Sequence, residues 1–306
     1  MDVQTLAALA DLYLLRCEVE GKSPGTVRAY RETVTRFLRQ LPADVTDPTD
    51  VKADHIYVYL GAFTEHSLET RHRYFREVRC FFNWLVELEY LEQSPFRGLK
   101  NVRLPQRIVE PFGGEEIEVL VDACRDGPMA ARDRALLFVL LDTGARCSEI
   151  VELQLEDLDL DARRLRILHG KGNKQRVVPF ADRCAAAIED YLVHRGAQAG
   201  PLFVAASHLQ ALTEDVSLRP NGLKQLLRRL GKRTGIKNVH AHRFRHTFAT
   251  WAIQHDAREL DVQYLLGHSS PDMVRRYSSS YRSEQAAQRH VSFSPGDQML
   301  RREGRV

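Results

Sequence analysis

Two segments near the N-terminus repeat apolar residues at intervals of three and four. The first begins with Ser23 and Pro24, a pair typical of a helix start. Its apolar positions are Val27, Tyr30, Val34, Phe37, Leu38 and Leu41, and those of the second segment are Tyr74, Val78, Phe81, Phe82 and Leu85. This period predicts amphipathic helices. We therefore predict a helical bundle over residues 1–96, with arginines on its surface.

An irregular segment follows the predicted bundle. The stretch "SPFRGLKNVRLPQRIVEPFGG" is rich in proline and glycine, and its charges are basic except for one acid near its end. Proline and glycine at this density end regular structure. We predict an interdomain linker over residues 97–112 and a second domain over residues 113–282. For the tail, residues 283–306, docking on a neighbouring subunit and a frayed terminus remain alternatives.

The second domain combines helical periodicity with one clear hairpin. Alternating stretches at Arg164–Leu168 and Arg176–Phe180 flank a turn that contains Gly-Asn. The surrounding segments have helical spacing, with a break at Thr143 and Gly144. The fold class predicted for the whole chain is therefore mainly α, with a small β-sheet in an α+β C-terminal domain.

Composition narrows the class of protein. The 306 residues are 43% hydrophobic, with a mean hydropathy of −0.36. They contain no apolar run of about 18 residues, so no membrane span is expected. The segment before Arg16 has no basic residue, which does not fit a signal peptide. Scattered cysteines without a C-x-x-C pair suggest reduced thiols and a cytoplasmic location.

The net charge is only +3, but basic and acidic residues are concentrated in separate segments of the chain. Residues 162–180 and 218–237 contain basic residues and no acid, whereas residues 149–161 contain acids and no base. Clustered positive charge is costly unless it meets a polyanion. The pattern favours a polyanionic partner over a set of merely solvated faces.

Two basic residues stand at breaks in regular structure. Arg146 follows the Thr-Gly break, with Glu149 three residues later. It is either a surface arginine paired with Glu149 or a guanidinium that awaits an anionic ligand. Lys171, in the hairpin turn, is either an exposed turn residue or a mobile proton donor. The P-loop motif does not fit, because Leu165 and Gly172 stand where that motif needs Gly and Ser or Thr.

A histidine-rich segment, "HAHRFRHTFAT", raises the question of a metal. His242 and His246 have the spacing of two ligands on one helix face. Arginines inside the cluster and the distance to the next acid, Asp256, argue against a metal site. His242 with Arg245 suits a phosphate instead. We predict neither a metal nor a cofactor.

These groups suit phosphodiester chemistry without a metal. Guanidiniums can neutralise the non-bridging oxygens as a five-coordinate phosphorus forms. A lysine can protonate the leaving oxygen, a histidine can take the proton of the nucleophile, and tyrosine makes a reversible phosphoester. Two tyrosines, Tyr277 and Tyr281, share one helical face, so local geometry alone does not separate them.

Four motifs give the chain a resemblance to a known family. They are "TGARCSEI", "GKGNKQRVVPF", "HAHRFRHTFAT" and "LLGHSSPDMVRRY". In order and spacing they resemble the active-site motifs of the tyrosine recombinases, the phage integrase-like enzymes. "SPGTVRAYRETVTRFL" is similar to that family's N-terminal, SAM-like core-binding domain. Ala145 and Phe244 stand where leucine is usual in the family, and neither change removes a catalytic group.

The resemblance implies roles for named residues. It implies that Arg146 and Arg245 clamp the phosphate, that Lys171 is the general acid and that His242 handles a proton. It further implies that His268 holds the phosphate, that Tyr277 is the nucleophile and that Glu149 has a supporting role. Predicted DNA contacts are Arg28, Arg71, Arg73, Lys174, Arg176, Lys224 and Arg228.

The family also implies an assembly and a reaction. The resemblance implies a homotetramer on two DNA sites, with or without accessory proteins, and strand exchange through a Holliday junction after formation of a 3′-phosphotyrosine. No separate N-terminal arm-binding module is expected, which makes the chain similar to Xer-type or small mobile-element recombinases. The alternatives are a DNA-relaxing enzyme like the type IB topoisomerases and an inactive DNA-binding protein of the same fold.

Overall fold

A computed structural model describes residues 5–105, 109–125, 128–168, 175–205 and 217–267, together with residues 290, 292 and 294–296. The chain divides into two compact units, Met1–Arg107 and Ile108–Val306. None of the helices in these ranges is long and apolar enough to cross a membrane. The predicted fold class is confirmed, because the structure is mostly helical with one small sheet.

The N-terminal unit is helical throughout its described elements. These are α1 (Leu6–Val19), α2 (Pro24–Gln40), α3 (Ala53–Gly61) and α4 (Leu68–Glu87). Thr5, Ser23 and Ser67 each precede a helix and accept a hydrogen bond from a backbone N–H of its first turn. The predicted start of α2 at Ser23 and Pro24 is therefore correct.

Aromatic side chains fill the core of the N-terminal unit. Tyr13 of α1 lies 5.4 Å from both Phe81 and Trp84 of α4, measured between ring centroids. Phe37 of α2 meets Phe82 edge to face at 5.7 Å. Offset and edge-to-face pairs at these distances stabilise a core beyond the area they bury. The apolar stripe predicted for α4 is buried at every position.

The described part of the C-terminal unit combines helices with a three-stranded sheet. Its helices are α5 (Gly114–Asp122), α6 (Pro128–Thr143), α7 (Cys147–Glu152), α8 (Asp182–Arg195), α9 (Pro220–Thr234), α10 (Ala241–Gln254) and α11 (Glu259–Leu266). Its strands are β1 (Leu158–Asp159), β2 (Arg164–Ile167) and β3 (Arg176–Pro179). Within the described ranges all five cysteines are unbridged.

The predicted hairpin is confirmed. Strands β2 and β3 pair antiparallel, with Leu165 opposite Val178 and Arg166 opposite Val177. Leu165 and Val178 face the core because successive side chains of a strand alternate between its faces. The short strand β1 adds to the other edge of β2, with Leu158 opposite Leu165. The sequence did not indicate β1, because two residues are too few to show alternation.

The two ends of the predicted linker pack differently. His72 of α4 bonds through Nδ1 to the carbonyl oxygen of Val102 at 2.9 Å, within the N-terminal unit. Phe112 is buried in the core of the C-terminal unit, and its N–H donates to Thr247 Oγ1 of α10 at 2.8 Å. The division between the units, after Arg107, lies inside the range predicted as linker.

Candidate active site

The turn between α6 and α7 presents Arg146 at the start of a helix. Thr143 ends α6, with its hydroxyl donating to Val139 O at 2.6 Å and accepting from Ala145 N–H at 3.2 Å. Gly144 has a φ of +57°, and a Cβ there would lie 2.7 Å from a side-chain carbon of Leu266. The sharp turn therefore requires glycine. It places Arg146 at the N-cap of α7.

Glu149 holds both the backbone and the side chain of Arg146. Its Oε2 accepts from the Arg146 N–H at 2.7 Å, and its Oε1 accepts from Arg146 Nη1, also at 2.7 Å. The Glu149 side chain is 1% exposed, whereas that of Arg146 is 28% exposed. Arg146 is therefore paired with Glu149, as one interpretation of the sequence predicted, and its guanidinium is also accessible to an anionic ligand, as the other predicted.

A second arginine shares this carboxylate. Arg176 of β3 donates from Nη1 and Nη2 to the two oxygens of Glu149, at 3.1 and 2.7 Å. Burial by itself raises the pKa of Glu149, but the hydrogen bonds from Arg176 and Arg146 outweigh it and lower the pKa to about 2. Glu149 is therefore ionised at neutral pH and balances part of the charge of two guanidiniums.

The predicted DNA contact of Arg176 does not fit its surroundings. Its side chain is 10% exposed, and its Nε donates to Leu265 O at 2.7 Å. All three guanidinium nitrogens are thus engaged inside the protein. Sequence reasoning placed Arg176 among the DNA contacts because it lies in a basic segment. Its partner Glu149 is 27 residues away in the sequence, so no pattern in the residues around Arg176 indicates this pairing.

Two arginines of helix α10 that are close in sequence have different partners. Arg245 is 3% exposed and donates from Nη1 to Gly144 O at 2.8 Å and from Nη2 to Leu266 O at 2.7 Å. It therefore reaches the Arg146 turn and the end of α11. Arg243 instead binds the Glu116 carboxylate at 2.8 Å and lies 3.9 Å from the ring centroid of Phe112. Helical phase sends these two side chains in different directions.

The histidines of α10 are kept neutral. His240 caps the helix, and its Nδ1 accepts from Arg243 N–H at 3.1 Å. The pKa of His242 is lowered by partial burial and by the electrostatic influence of His240, Arg245 and Arg146. Burial, with a contribution from His242, lowers the pKa of His246 to about 4. A neutral His242 can accept a proton at pH 7.

A metal at His242 and His246 finds no support in the surrounding residues. Cations rather than carboxylates influence His242, and Thr250 Oγ1 lies 3.3 Å from His246 Nδ1. Within the described ranges, the structure contains no group of three or more His, Cys, Asp or Glu side chains able to hold a metal ion. The donor set suits an anion better than a cation.

Part of the predicted site lies outside the described residues. Lys171, Lys174, His268 and Tyr277 fall in this class. The described chain ends α11 at Leu266, with Gly267 in the left-handed conformation, so His268 is the next residue in the sequence. Among the predicted active-site residues, the structure thus brings together Arg146, Glu149, His242 and Arg245.

The other predicted DNA contacts differ in exposure. Arg28 on α2 is exposed, as are Lys224 and Arg228 on α9. Arg71 and Arg73 on α4 are half-buried, and the Arg73 guanidinium carbon lies 4.8 Å from the ring centroid of Tyr74. These five positions remain predictions.

The ion pairs of Glu149 predict an acid dependence of stability. The folded-state pKa of about 2 lies below the usual glutamate value, so ionised Glu149 stabilises the fold above about pH 4.5. This contribution, on the order of 3 kcal/mol, is lost as the pH falls from about 4.5 to about 2. In urea titrations between pH 7 and pH 3, Glu149→Gln is expected to have a lower free energy of unfolding and a shallower acid dependence.

Glu152→Gln, at an exposed position of the same helix, is the matched control. It is expected to follow the wild-type pH dependence. Parallel curves for the wild type and Glu149→Gln would contradict the role given to the Glu149 ion pairs.

Comparison with known proteins covers both units. Residues 112–284 match the phage integrase family, and residues 10–91 match the phage integrase N-terminal SAM-like domain. Tyrosine recombinase XerC of Staphylococcus carnosus is 31% identical over 274 residues, which cover 87% of this chain and 90% of the relative. The XerC of Lacticaseibacillus casei is 32% identical, over 85% of this chain and 90% of the relative.

Solved structures share the fold. XerH recombinase bound to a palindromic difH substrate aligns with a TM-score of 0.70 and 21% identity, over 88% of this chain and 80% of that chain. A lambda integrase tetramer bound to a Holliday junction aligns with a TM-score of 0.69 and 17% identity, over 87% and 78% of the two chains.

Proposed function

Because the chain belongs to the phage integrase family and is a tyrosine recombinase, an enzyme that cleaves and rejoins DNA, we propose that it acts through a 3′-phosphotyrosine intermediate. Its proposed substrate is double-stranded DNA carrying a specific site. Its proposed nucleophile is Tyr277, in the position implied by the family motif.

One observation carries the assignment of the site. Arg146 precedes His242 and Arg245 by almost 100 residues in sequence, yet Arg245 donates to Gly144 O in the turn that presents Arg146. His242 is close enough to both arginines for their charges to lower its pKa. Two guanidiniums and an imidazole therefore lie in one region of the C-terminal unit, and this set of groups supports a site for a phosphodiester.

The arginines supply positive charge where the reaction builds negative charge. The carbonyl oxygens of Gly144 and Leu266, which carry no net charge, hold Arg245 in place. Arg146 shares the negative charge of Glu149 with Arg176, so a net positive charge remains at the turn. Groups fixed in this way stabilise a five-coordinate phosphorane without reorganising during the reaction.

The proposed proton transfers use the remaining groups. As Tyr277 Oη bonds to phosphorus, its proton passes to the neutral imidazole of His242. The bond between phosphorus and the 5′ oxygen breaks, and Lys171 protonates the departing oxygen. The phosphotyrosine keeps the free energy of the broken bond, so a 5′ hydroxyl of the partner strand reverses the step and releases Tyr277. His268 holds a phosphate oxygen in this proposal.

The proposed assembly is a homotetramer on two sites, with strands exchanged through a Holliday junction. The solved complex of lambda integrase, a tetramer on a Holliday junction, supports this proposal. Integration and excision of a mobile element and Xer-type resolution are both consistent with it. The proposed location is the cytoplasm, where the DNA substrate lies.

Capture of covalent adducts tests the proposed function. The purified protein is incubated with a library of duplex DNA in the presence of EDTA, the adducts are isolated and the attached DNA is sequenced. We expect adducts enriched in one sequence, with a yield that EDTA does not change. Relaxation of supercoiled DNA without strand exchange would favour a type IB topoisomerase-like enzyme. Binding without any adduct would favour an inactive DNA-binding protein, and activity lost to EDTA would favour a metal hydrolase.

A further inference from the structure

Arg176 joins three elements of the candidate active site. It is the first residue of β3, it forks onto the carboxylate of Glu149 in α7, and its Nε binds the Leu265 carbonyl in α11. A planar guanidinium provides these three directions at once, whereas a lysine ammonium is a single point charge. The side chain is therefore bound in one geometry by partners from two other elements.

The partner in α11 lies at the end of that helix. The last carbonyls of a helix have no partner within it. Here Leu265 O accepts from Arg176 and Leu266 O accepts from Arg245, so two guanidiniums occupy the α11 C-terminus. Cations at this end also interact favourably with the helix dipole.

Arg176 also packs closely against Gly267, the residue that follows α11. Gly267 has a φ of +63°, and a Cβ added there would lie 3.1 Å from Arg176 Nη1. Its N–H donates to Tyr264 O at 3.0 Å. Arg176 therefore packs against the residue at which the chain leaves α11 and continues to His268 in the sequence.

The partner in α7 links Arg176 to Arg146. Glu149 is buried and ionised, and it binds both arginines. Without Arg176 the buried carboxylate of Glu149 would lose two hydrogen bonds and would attract the Arg146 guanidinium more strongly. The proposed reaction needs that guanidinium to bind phosphate. Removing one partner of a buried ion pair leaves a poorly compensated charge.

We propose that Arg176 is a positioning residue for strand cleavage, which fixes Arg146 through Glu149 and fixes the end of α11 through Leu265. This role rests on the proposed function, and it replaces the DNA contact that the basic sequence around Arg176 suggested. The two roles make opposite predictions about binding and chemistry.

The experiment measures binding and cleavage separately. Arg176→Gln is compared with Lys224→Gln, a predicted DNA contact, and with Arg183→Gln, an exposed arginine that lies over the ring of Phe138. DNA affinity is measured across salt concentrations, and the rate of adduct formation is measured in a single turnover at saturating protein on a captured site.

Arg176→Gln is expected to slow adduct formation by about 100-fold, because small misplacements of catalytic groups have effects of this size. Its affinity and the salt dependence of its affinity stay as in the wild type. Lys224→Gln is expected to lower affinity and to reduce the salt slope by about one, with little effect on the saturated rate. Arg183→Gln is expected to change neither quantity.

Two further measurements separate the possible failures. Arg176→Lys keeps the positive charge, but one ammonium group cannot bond to both oxygens of Glu149 and to Leu265 O at the same time. Its adduct formation is therefore expected to remain slow. This variant also tests the proposal if Arg176→Gln does not fold. Hydrogen exchange of residues 259–267 needs no activity, and it is expected to quicken in both Arg176 variants and not in Arg183→Gln.

The outcomes decide between the roles. A saturated rate like that of the wild type, with a salt slope reduced by about one, would overturn the positioning role and restore the DNA contact. Unchanged hydrogen exchange at the end of α11 would also overturn it. If the wild type forms no adduct, the proposed function fails, whereas the exchange experiment still reports whether Arg176 holds α11.

Discussion

Tyr277→Phe is expected to abolish covalent adducts, whereas Tyr281→Phe is expected to retain them. Phenylalanine keeps the ring and removes only the hydroxyl that would attack phosphorus. Loss of a nucleophile typically costs on the order of 10⁴-fold or more in rate, which takes the adduct below detection. The measurement is a denaturing gel of protein joined to labelled DNA carrying a captured site.

The DNA affinity of both variants is the control. The phenol is uncharged at pH 7, so Tyr277→Phe is expected to bind DNA with the salt dependence of the wild type. Adducts that persist in Tyr277→Phe and disappear in Tyr281→Phe would move the nucleophile to the second tyrosine. Adducts that survive both changes would exclude both residues.

The choice between these tyrosines shows what sequence patterns can resolve. Tyr277 and Tyr281 are four residues apart, a spacing at which two residues of a helix would share one face, so periodicity treats them alike. Only the nine-residue distance from His268 to Tyr277, compared with the family motif, separates them. Both tyrosines lie outside the residues that the structure describes, so the assignment remains a prediction.

Elements of the fold with local signals were predictable. The start of α2 depends on Ser23 and Pro24, which act within one helical turn. The β2–β3 hairpin was predicted from alternation within two short segments and from the Gly-Asn pair between them in the sequence. The burial stripe of α4 follows from its own periodicity. In each case the residues that determine the structure are neighbours in sequence.

Contacts between distant segments were not predictable in this way. Arg176 belongs to a basic segment, and no local pattern shows that Glu149 and the end of α11 occupy its guanidinium. The requirement for glycine at position 144 depends on Leu266 and Phe248, from the other end of the domain. The motifs therefore predicted which residues form the site, while the network that holds Arg146, Glu149 and Arg245 required the folded structure.

The arginines of α10 allow the catalytic and structural effects of a substitution to be separated. Arg245→Lys is expected to slow adduct formation by about 100- to 1,000-fold, because one point charge cannot serve a phosphate and two carbonyl oxygens in a fixed geometry. The carbonyls of Gly144 and Leu266 also lose donors, so the free energy of unfolding is expected to fall by about 1–3 kcal/mol.

Arg243→Lys is the matched control for that loss of stability. Arg243 lies two residues away on the same helix, is also buried, and bonds to the carbonyls of Glu110, Pro111 and Lys237 as well as to Glu116. Its substitution is expected to destabilise the domain to a similar degree, because buried acceptors again lose a donor. At a temperature where both variants are folded, Arg243→Lys is expected to cleave at close to the wild-type rate.

The comparison of the two variants then isolates chemistry from folding. Single-turnover adduct formation at saturating protein gives the rate, and urea unfolding gives the stability of the same preparations. A slow Arg245→Lys beside an active Arg243→Lys of equal stability means that the Arg245 guanidinium acts on the reacting phosphate. Equal losses of rate in both variants would instead mean that α10 tolerates neither change, and the phosphate role of Arg245 would be contradicted.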